Sequence, residues 1–460
     1  MGLDRGVEEA VSGGLWVFMG NLAVSLAGFF YWIILSRIVG VESVGVASAV
    51  VSSASIAVML VSAGLNYAVI REVAGSGPRS LVASIIMALI LGLVGVLIVQ
   101  PLVAGIGYNW LVVYASSLAF LNILSLIPLS SLIGFEEFKK YSMLTITGSI
   151  AKLSVGIVLA LLGFGVLSPI LGYLAYPLTI VIVGSMLLYD RIRGFFSTSF
   201  SDLKSVFLLM ISNYPYVFSN QLVIMLSVYL SALVIGKPVS TGILYISFMI
   251  ITAVAAIPIA ILSASLPIST RRNSDPFDEA FRISLALSTP LIVVIASMPR
   301  ELLGIINPEL VSGAPLIELL VLSYAPLVFL SMSITRFNKE KRLGRISLIG
   351  ITRLLALLLP FPVLVGRLGV IGIALAYLVS TIASSLVAIM FHRNSALLML
   401  IFWCIHALPV TIYYLGLFNE LVNTIVMLIS AILIMHFSGL FKLEEYTRIA
   451  RVMLRSISEV

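Results

Sequence analysis

The chain has 460 residues, 60% of them hydrophobic and only 10% charged, with a net charge of +7. Soluble domains carry about a quarter charged residues, so water cannot cover this surface and lipid must. The single cysteine, Cys404, excludes an internal disulfide framework.

Fourteen apolar runs follow one another at approximately 14–36, 43–66, 80–104, 109–133, 142–163, 166–189, 205–235, 239–268, 280–298, 312–334, 346–365, 368–391, 397–416 and 421–440. Each is close to the ~20 residues that a membrane-spanning helix needs. Lipid offers the backbone no hydrogen bonds, so such runs are helices or strands of a closed barrel. Barrel strands alternate apolar and polar residues in segments of about ten; these runs do not, which predicts an all-α polytopic membrane protein. The first run, Gly14 to Ser36, is too long for a signal-peptide core and reads as the first span. The connections are short and hold no soluble domain. In the tail, Leu443, Tyr446, Ile449, Met453 and Ile457 recur at helical spacing among Arg448, Arg451 and Arg455. This suits a basic amphipathic helix on the cytoplasmic membrane surface or a solvated charged tail.

The basic residues test this count. With the N-terminus cytoplasmic, the outer side holds only Arg37, Lys237, Arg300 and Arg367, and two more, Lys152 and Arg353, fall inside spans. The other 21 of the 27 Lys and Arg residues are on the inner side. That asymmetry obeys the positive-inside rule and places both termini in the cytoplasm. It also accounts for the positive charge through orientation and anionic lipid, so no nucleic-acid partner is needed.

Two halves of the chain resemble each other. Ile150-Ala151-Lys152-Leu153 and Leu174-Ala175-Tyr176 match Ile351-Thr352-Arg353-Leu354 and Leu375-Ala376-Tyr377 at an offset of 201, which also aligns Lys140 with Lys341 and Gly165 with Gly366. At a slightly smaller offset, the stretch from Gly40 to Gly45 resembles that from Gly236 to Gly242. Six spans separate the copies, an even number, so the halves share one orientation about an axis along the membrane normal. The expected organisation is two pseudo-symmetric six-helix lobes, 1–200 and 201–395, then two extra spans in 396–440 and the cytoplasmic tail 441–460. Two such bundles suit alternating access around a central site. Pro128, Pro215, Pro258, Pro326, Pro360 and Pro362 interrupt spans and permit bends, although prolines are also ordinary in membrane helices.

Lys152 and Arg353 are the sharpest functional signals. Lys152 lies about 16 Å into its span at 1.5 Å per residue, roughly half of a ~30 Å core. A basic residue there costs about 2.5–3.5 kcal/mol and faces a cavity or a partner. No acidic residue lies at matching depth, which favours an anionic substrate; bonding to backbone carbonyls or snorkelling is the plainer alternative. Asn21 on the first run, and Asn213, Asn220 and Gln221 on the seventh, offer donors and acceptors for sugar hydroxyls, or for helix–helix bonds. Glu318 is the one carboxylate well inside a run, a position for a coupling cation or an outer vestibule. His392, His406 and His436 lack metal-ligand spacing. No phosphate-binding loop, zinc motif or paired catalytic carboxylates occur, so neither ATP hydrolysis nor other catalysis is expected, and no metal or cofactor.

The run from Gly14 to Ala74 resembles the opening of polysaccharide flippases, the lipid-linked oligosaccharide exporters of the superfamily that includes multidrug and toxin extruders. The residues that carry the likeness are Leu35-Ser36-Arg37-Ile38-Val39-Gly40, Gly45, Gly64-Leu65-Asn66 and Val69-Ile70-Arg71-Glu72, with Gly165 and Gly369 at two later exits. The resemblance implies fourteen helices, no bound cofactor, and movement of a polyprenyl-(pyro)phosphate-linked glycan between leaflets of the cell membrane, in a pathway shared with glycosyltransferases. Lys152 and Arg353 suit its phosphates by type and depth. Drug extruders of this superfamily tend to carry acidic residues for cation coupling; the first and seventh runs here have none. The leading expectation is therefore a flippase for a lipid-linked glycan. An ion-coupled drug or metabolite exporter is the alternative. A membrane-embedded glycosyltransferase is a third reading, for which no loop carries the carboxylates.

Overall fold

A computed structural model describes residues 5–193, 200–218, 221–272, 277–415 and 419–440. The predicted tail helix and Asn220 lie outside these residues. The described chain is helical throughout its regular structure, and the all-α membrane architecture is as expected. In chain order the helices are α1 (Arg5–Ile38), α2 (Gly40–Ser62), α3 (Leu65–Ser76), α4 (Pro78–Gly105), α5 (Val112–Gly134), α6 (Phe138–Leu161), α7 (Leu167–Ile192), α8 (Phe200–Phe218), α9 (Gln221–Leu230) and α10 (Pro238–Arg272). They continue with α11 (Phe277–Ser297), α12 (Pro299–Ile306), α13 (Ala314–Leu322), α14 (Tyr324–Lys339), α15 (Leu343–Leu358), α16 (Phe361–Leu368), α17 (Val370–Ile389), α18 (Arg393–Leu415) and α19 (Glu420–Phe437).

Among the described residues, 12 helices are long and apolar enough to cross a membrane, and a thirteenth span forms if α13 and α14, with the short turn that precedes them, count as one. Three of the fourteen predicted runs depart from a simple helix, the eleventh being divided into α15 and α16 between Leu358 and Phe361. The tenth is bent by 41° at Ser323. The seventh comprises α8, then α9 continuing into a wide π turn at Ser231–Ile235. The bend has a local cause. Pro326 lacks the N–H that would bond the Leu322 carbonyl four residues back, and Trp403 of α18 supplies a donor instead, Nε1 to Leu322 O at 2.8 Å. Pro128 and Pro258, by contrast, sit within continuous helices. Replacing Trp403 with Phe keeps the ring and removes the donor. It is expected to cost about 1 kcal/mol, read as a lower midpoint of thermal unfolding in detergent.

The helices pack as two units. The first comprises residues 1–249 and 343–377, the second residues 250–342 and 378–460. In the first unit α6 lies against α1 and α7, α5 against α4 and α7, and α15 against α8 and α9. In the second, α11 packs on α18 and α19, and α14 on α18.

The first unit contains α3, a short helix that the apolar runs did not disclose. Leu65, Ala68, Val69 and Val73 bury one face of it, in a core shared with Leu81, Ile123, Leu132, Leu188 and Val206. Its other face carries Arg71 and Glu72, and the Glu72 carboxylate accepts from Ser205 Oγ of α8 at 2.6 Å. The motif Val69-Ile70-Arg71-Glu72 is thus a clamp between α3 and its neighbours.

Close approach elsewhere in this unit depends on two glycines from the matching motifs. A Cβ on Gly45 of α2 would collide with the Pro238 carbonyl of α10, and one on Gly242 would collide with the Val41 carbonyl of α2. Gly45 and Gly242 therefore meet backbone to backbone, the small-residue contact that lets membrane helices approach most closely. Each lies shortly after a left-handed glycine, Gly40 at φ 83° and Gly236 at φ 64°.

Candidate functional site

Lys152 is the fifteenth residue of the 24-residue α6, about 21 Å from the start of the helix. Its ammonium sits over two aromatic faces, 4.8 Å from the Tyr31 ring centroid of α1 and 4.1 Å from that of Tyr173 on α7. Gly28, one turn before Tyr31, leaves the approach open: a Cβ there would reach only to 3.9 Å from Nζ. No carboxylate or carbonyl pairs with Lys152 among the described residues. Each desolvated cation–π contact contributes about 2 kcal/mol, so two of them are enough to offset the ~3 kcal/mol cost of the charge at this depth. Of the ammonium's three N–H groups two can face the rings, which leaves one for an anion.

The cage is built from the helix contacts beneath it. Tyr31 is fully buried, and its hydroxyl donates to the Pro169 carbonyl at 2.6 Å. Its ring lies against Gly156 of α6, where a Cβ would come within 2.5 Å of it, and its hydroxyl against Gly172 of α7. Three helices thus fix one ring, and that ring fixes one charge. In Tyr31→Phe the ring and its contact with Lys152 stay while the buried hydroxyl bond goes. The expected result is about 1 kcal/mol less stability, read as a lower midpoint of thermal unfolding in detergent.

Arg353, in the middle of the span formed by α15 and α16, is 1% exposed. Its guanidinium donates to the Tyr377 hydroxyl of α17 at 3.1 Å and lies 5.5 Å from that ring's centroid. An aromatic row connects the two basic residues. Trp32, beside Tyr31, lies 5.9 Å from Tyr173 and meets Tyr245 of α10 edge-on at 4.9 Å. Phe248, three residues further along α10 and so on the same side, meets Tyr377 edge-on at 4.9 Å. The sequence reading missed this row. Its signal was a set of Tyr and Trp residues at mid-span, away from the interfacial belts where such residues usually collect.

The polar residues behave differently. Asn21 Oδ1 accepts from the Tyr141 hydroxyl of α6 at 2.9 Å, a bond between α1 and α6. Asn213 lies on α8 and Gln221 opens α9. Glu318 is 4% exposed on α13, in the second unit. That unit also holds a cavity of about 740 Å³ lined by Met298, Arg300, Glu301, Tyr413, Asn419 and Glu420. None of the candidate site residues named from the sequence lines it. Among the described residues no cluster of His, Cys, Asp or Glu is arranged to hold a metal ion.

Residues 10–272, more than half of the chain, match the family described as Polysaccharide biosynthesis protein. The chain belongs to that family. Solved structures share the fold of this family member. A lipid II flippase MurJ in an inward closed conformation superposes with a TM-score of 0.69 at 12% identity, covering 93% of this chain and 100% of that one. An inward-facing multidrug resistance MATE family transporter of the MOP superfamily gives 0.56 at 18% identity, covering 87% and 96%. A MOP superfamily transporter from Pyrococcus furiosus, described as having a binding pocket of reverse polarity, gives 0.50 at 16% identity, covering 87% and 99%. No curated protein matches the sequence. At these identities the likeness is one of fold, that of a multi-pass membrane protein.

Proposed function

We propose that this protein exports a polyprenyl-(pyro)phosphate-linked oligosaccharide or polysaccharide precursor across the cell membrane by alternating access, with both termini cytoplasmic. The observation that carries the reading is Lys152: an ammonium deep in a span, held by two tyrosine faces, with no acidic partner among the described residues. A phosphate supplies the missing negative charge, and Arg353 at matching depth in the second half supplies a further set of donors. The lipid tail stays in the bilayer while the charged head crosses. An anion leaving a negative interior moves downhill, by about 2.3 kcal/mol per charge at 100 mV. Glycosyltransferases of the same pathway supply the substrate. Family membership in polysaccharide biosynthesis supports this reading.

The test is movement of a labelled lipid-linked sugar in proteoliposomes containing the full chain. Protein-dependent appearance of the label on the far leaflet supports the proposal, and its absence with folded protein overturns it. A second reading, an ion-coupled drug or metabolite exporter, draws on the buried Glu318 carboxylate. It is favoured if cation-dependent efflux is found and is lost in Glu318→Gln.

A further inference from the structure

The second unit gathers polar atoms without partners at its cavity of about 740 Å³, where the starts of α12 and α19 meet the end of α18. Two carboxylate oxygens on the wall, Glu301 Oε2 and Glu420 Oε2, are shielded from solvent and accept no hydrogen bond among the described residues. Ser297 Oγ, one residue before the lining Met298, is buried and equally unpartnered. The sharpest member is Asn423 of α19. It is 1% exposed, and neither its Nδ2 nor its Oδ1 has a partner among the described residues.

Helix geometry assigns Asn423 to this cavity. Its backbone N–H donates to the Asn419 carbonyl at 2.8 Å, so it stands one turn below Asn419 and shares a side of α19 with Glu420. Helical side chains lean toward the N-terminus of their helix, which carries the Asn423 amide toward the cavity floor. α11 packs on α19 and ends at Ser297, so the hydroxyl reaches the same end of the unit. Buried polar groups are almost always bonded. Several left over around one cavity call for a bonding partner inside it.

The lining says which partner. Glu301 and Glu420 with Arg300 leave it a net negative charge, which disfavours a phosphate. Arg300, whose guanidinium lies 6.0 Å from the Tyr413 ring centroid, disfavours a bare cation, and among the described residues no group of His, Cys, Asp or Glu is arranged for a metal ion. Met298 and Leu421 are a minority of the described lining, too few for an apolar ligand. A hydroxyl both donates and accepts. Neighbouring hydroxyls of a sugar ring donate to the two carboxylates and to Asn423 Oδ1, and accept from Arg300 and Asn423 Nδ2. We propose that this cavity binds a neutral sugar, on the side of the membrane that is outer in the topology given above. Its volume falls within the ~300–1,000 Å³ of small-molecule pockets. The inference deepens the export reading, since it gives the glycan of the cargo a site of its own in the second unit, but sugar binding itself does not depend on transport.

The experiment uses the full chain in lipid nanodiscs, with free glucose, galactose and N-acetylglucosamine as probes, each followed by saturation-transfer NMR. At least one is expected to bind saturably, and about tenfold more weakly in Glu301→Gln, which removes one charge-assisted bond. Asn423→Leu separates a binding residue from a structural one. It fills a similar space without polar atoms, so its midpoint of thermal unfolding is expected at or above that of wild type, with sugar binding lost. Binding of none of the three sugars, or of sodium or glycine in their place, overturns the proposal, and so does sugar binding that both variants keep. If sugar binds as expected yet no lipid-linked sugar moves in proteoliposomes, the site stands and the export reading fails. If lipid-linked sugar moves and free sugar does not bind, the export reading stands and the site fails.

Discussion

Substitution of Gly242 with valine is expected to abolish accumulation of folded protein in the membrane. The argument is steric. A Cβ at Gly242 would overlap the Val41 carbonyl and come within 3.0 Å of the Gly45 backbone nitrogen, and a Cβ at Gly45 would overlap the Pro238 carbonyl. The obstacles on both sides are backbone, which cannot rotate aside as a side chain does. Relief requires α2 and α10 to separate. α2 cannot move alone, because most of its residues from Val41 to Ser62 are buried. Overpacking costs about 1–3 kcal/mol where side chains can adjust; here the backbone itself must shift, so the cost exceeds that range. Gly242→Ala is expected to retain a small folded fraction, and Gly45→Val to behave like Gly242→Val. Protein yield after mild detergent extraction, with a monodispersity check by gel filtration, reads the effect directly. Normal yield for Gly242→Val would show that α2 and α10 do not cross at these glycines.

The second large effect concerns charge. Lys152→Glu is expected to eliminate transport of a lipid-linked sugar while leaving yield above half of wild type. Lys152→Ala with Arg353→Ala is expected to lower it at least a hundredfold. Charge-assisted hydrogen bonds to phosphate are each worth about 1.5–3 kcal/mol, and 1.4 kcal/mol is tenfold. Two lost together therefore give two or more decades. Charge reversal adds repulsion between the introduced carboxylate and the phosphate. The single variants separate the roles. Lys152 makes no ion pair among the described residues, so its removal should spare stability. Arg353 is buried and bonded to Tyr377, so its removal should lower stability as well. Transport that survives the double substitution would mean that the anion is held elsewhere.

Much of this architecture was legible because the membrane constrains it. Every backbone group in lipid must find an internal partner, so long apolar runs had to be helices, and their ends fall within a few residues of the expected positions. Lys152 was legible for the same reason, since a charge in hydrocarbon stands out against its surroundings. What could not be read depended on partners remote in sequence. The bend at Ser323 needs Trp403, about eighty residues away, to receive the carbonyl that Pro326 releases. Asn21 suited a sugar hydroxyl by its chemistry, yet its oxygen accepts from Tyr141. The short helix α3 escaped because only one of its faces is apolar, and its twelve residues lie between two continuous spans. The tyrosine cage about Lys152 required α1, α6 and α7 to converge, which no local pattern specifies.

The aromatic row within the first unit carries a mechanical consequence. Tyr245 and Phe248 occupy a single turn of α10, one leaning on Trp32 beside the lysine cage and the other on Tyr377 beneath the arginine. Rotating that one helix disturbs both grips in the same movement. An anion held at both points would then be loosened at both together.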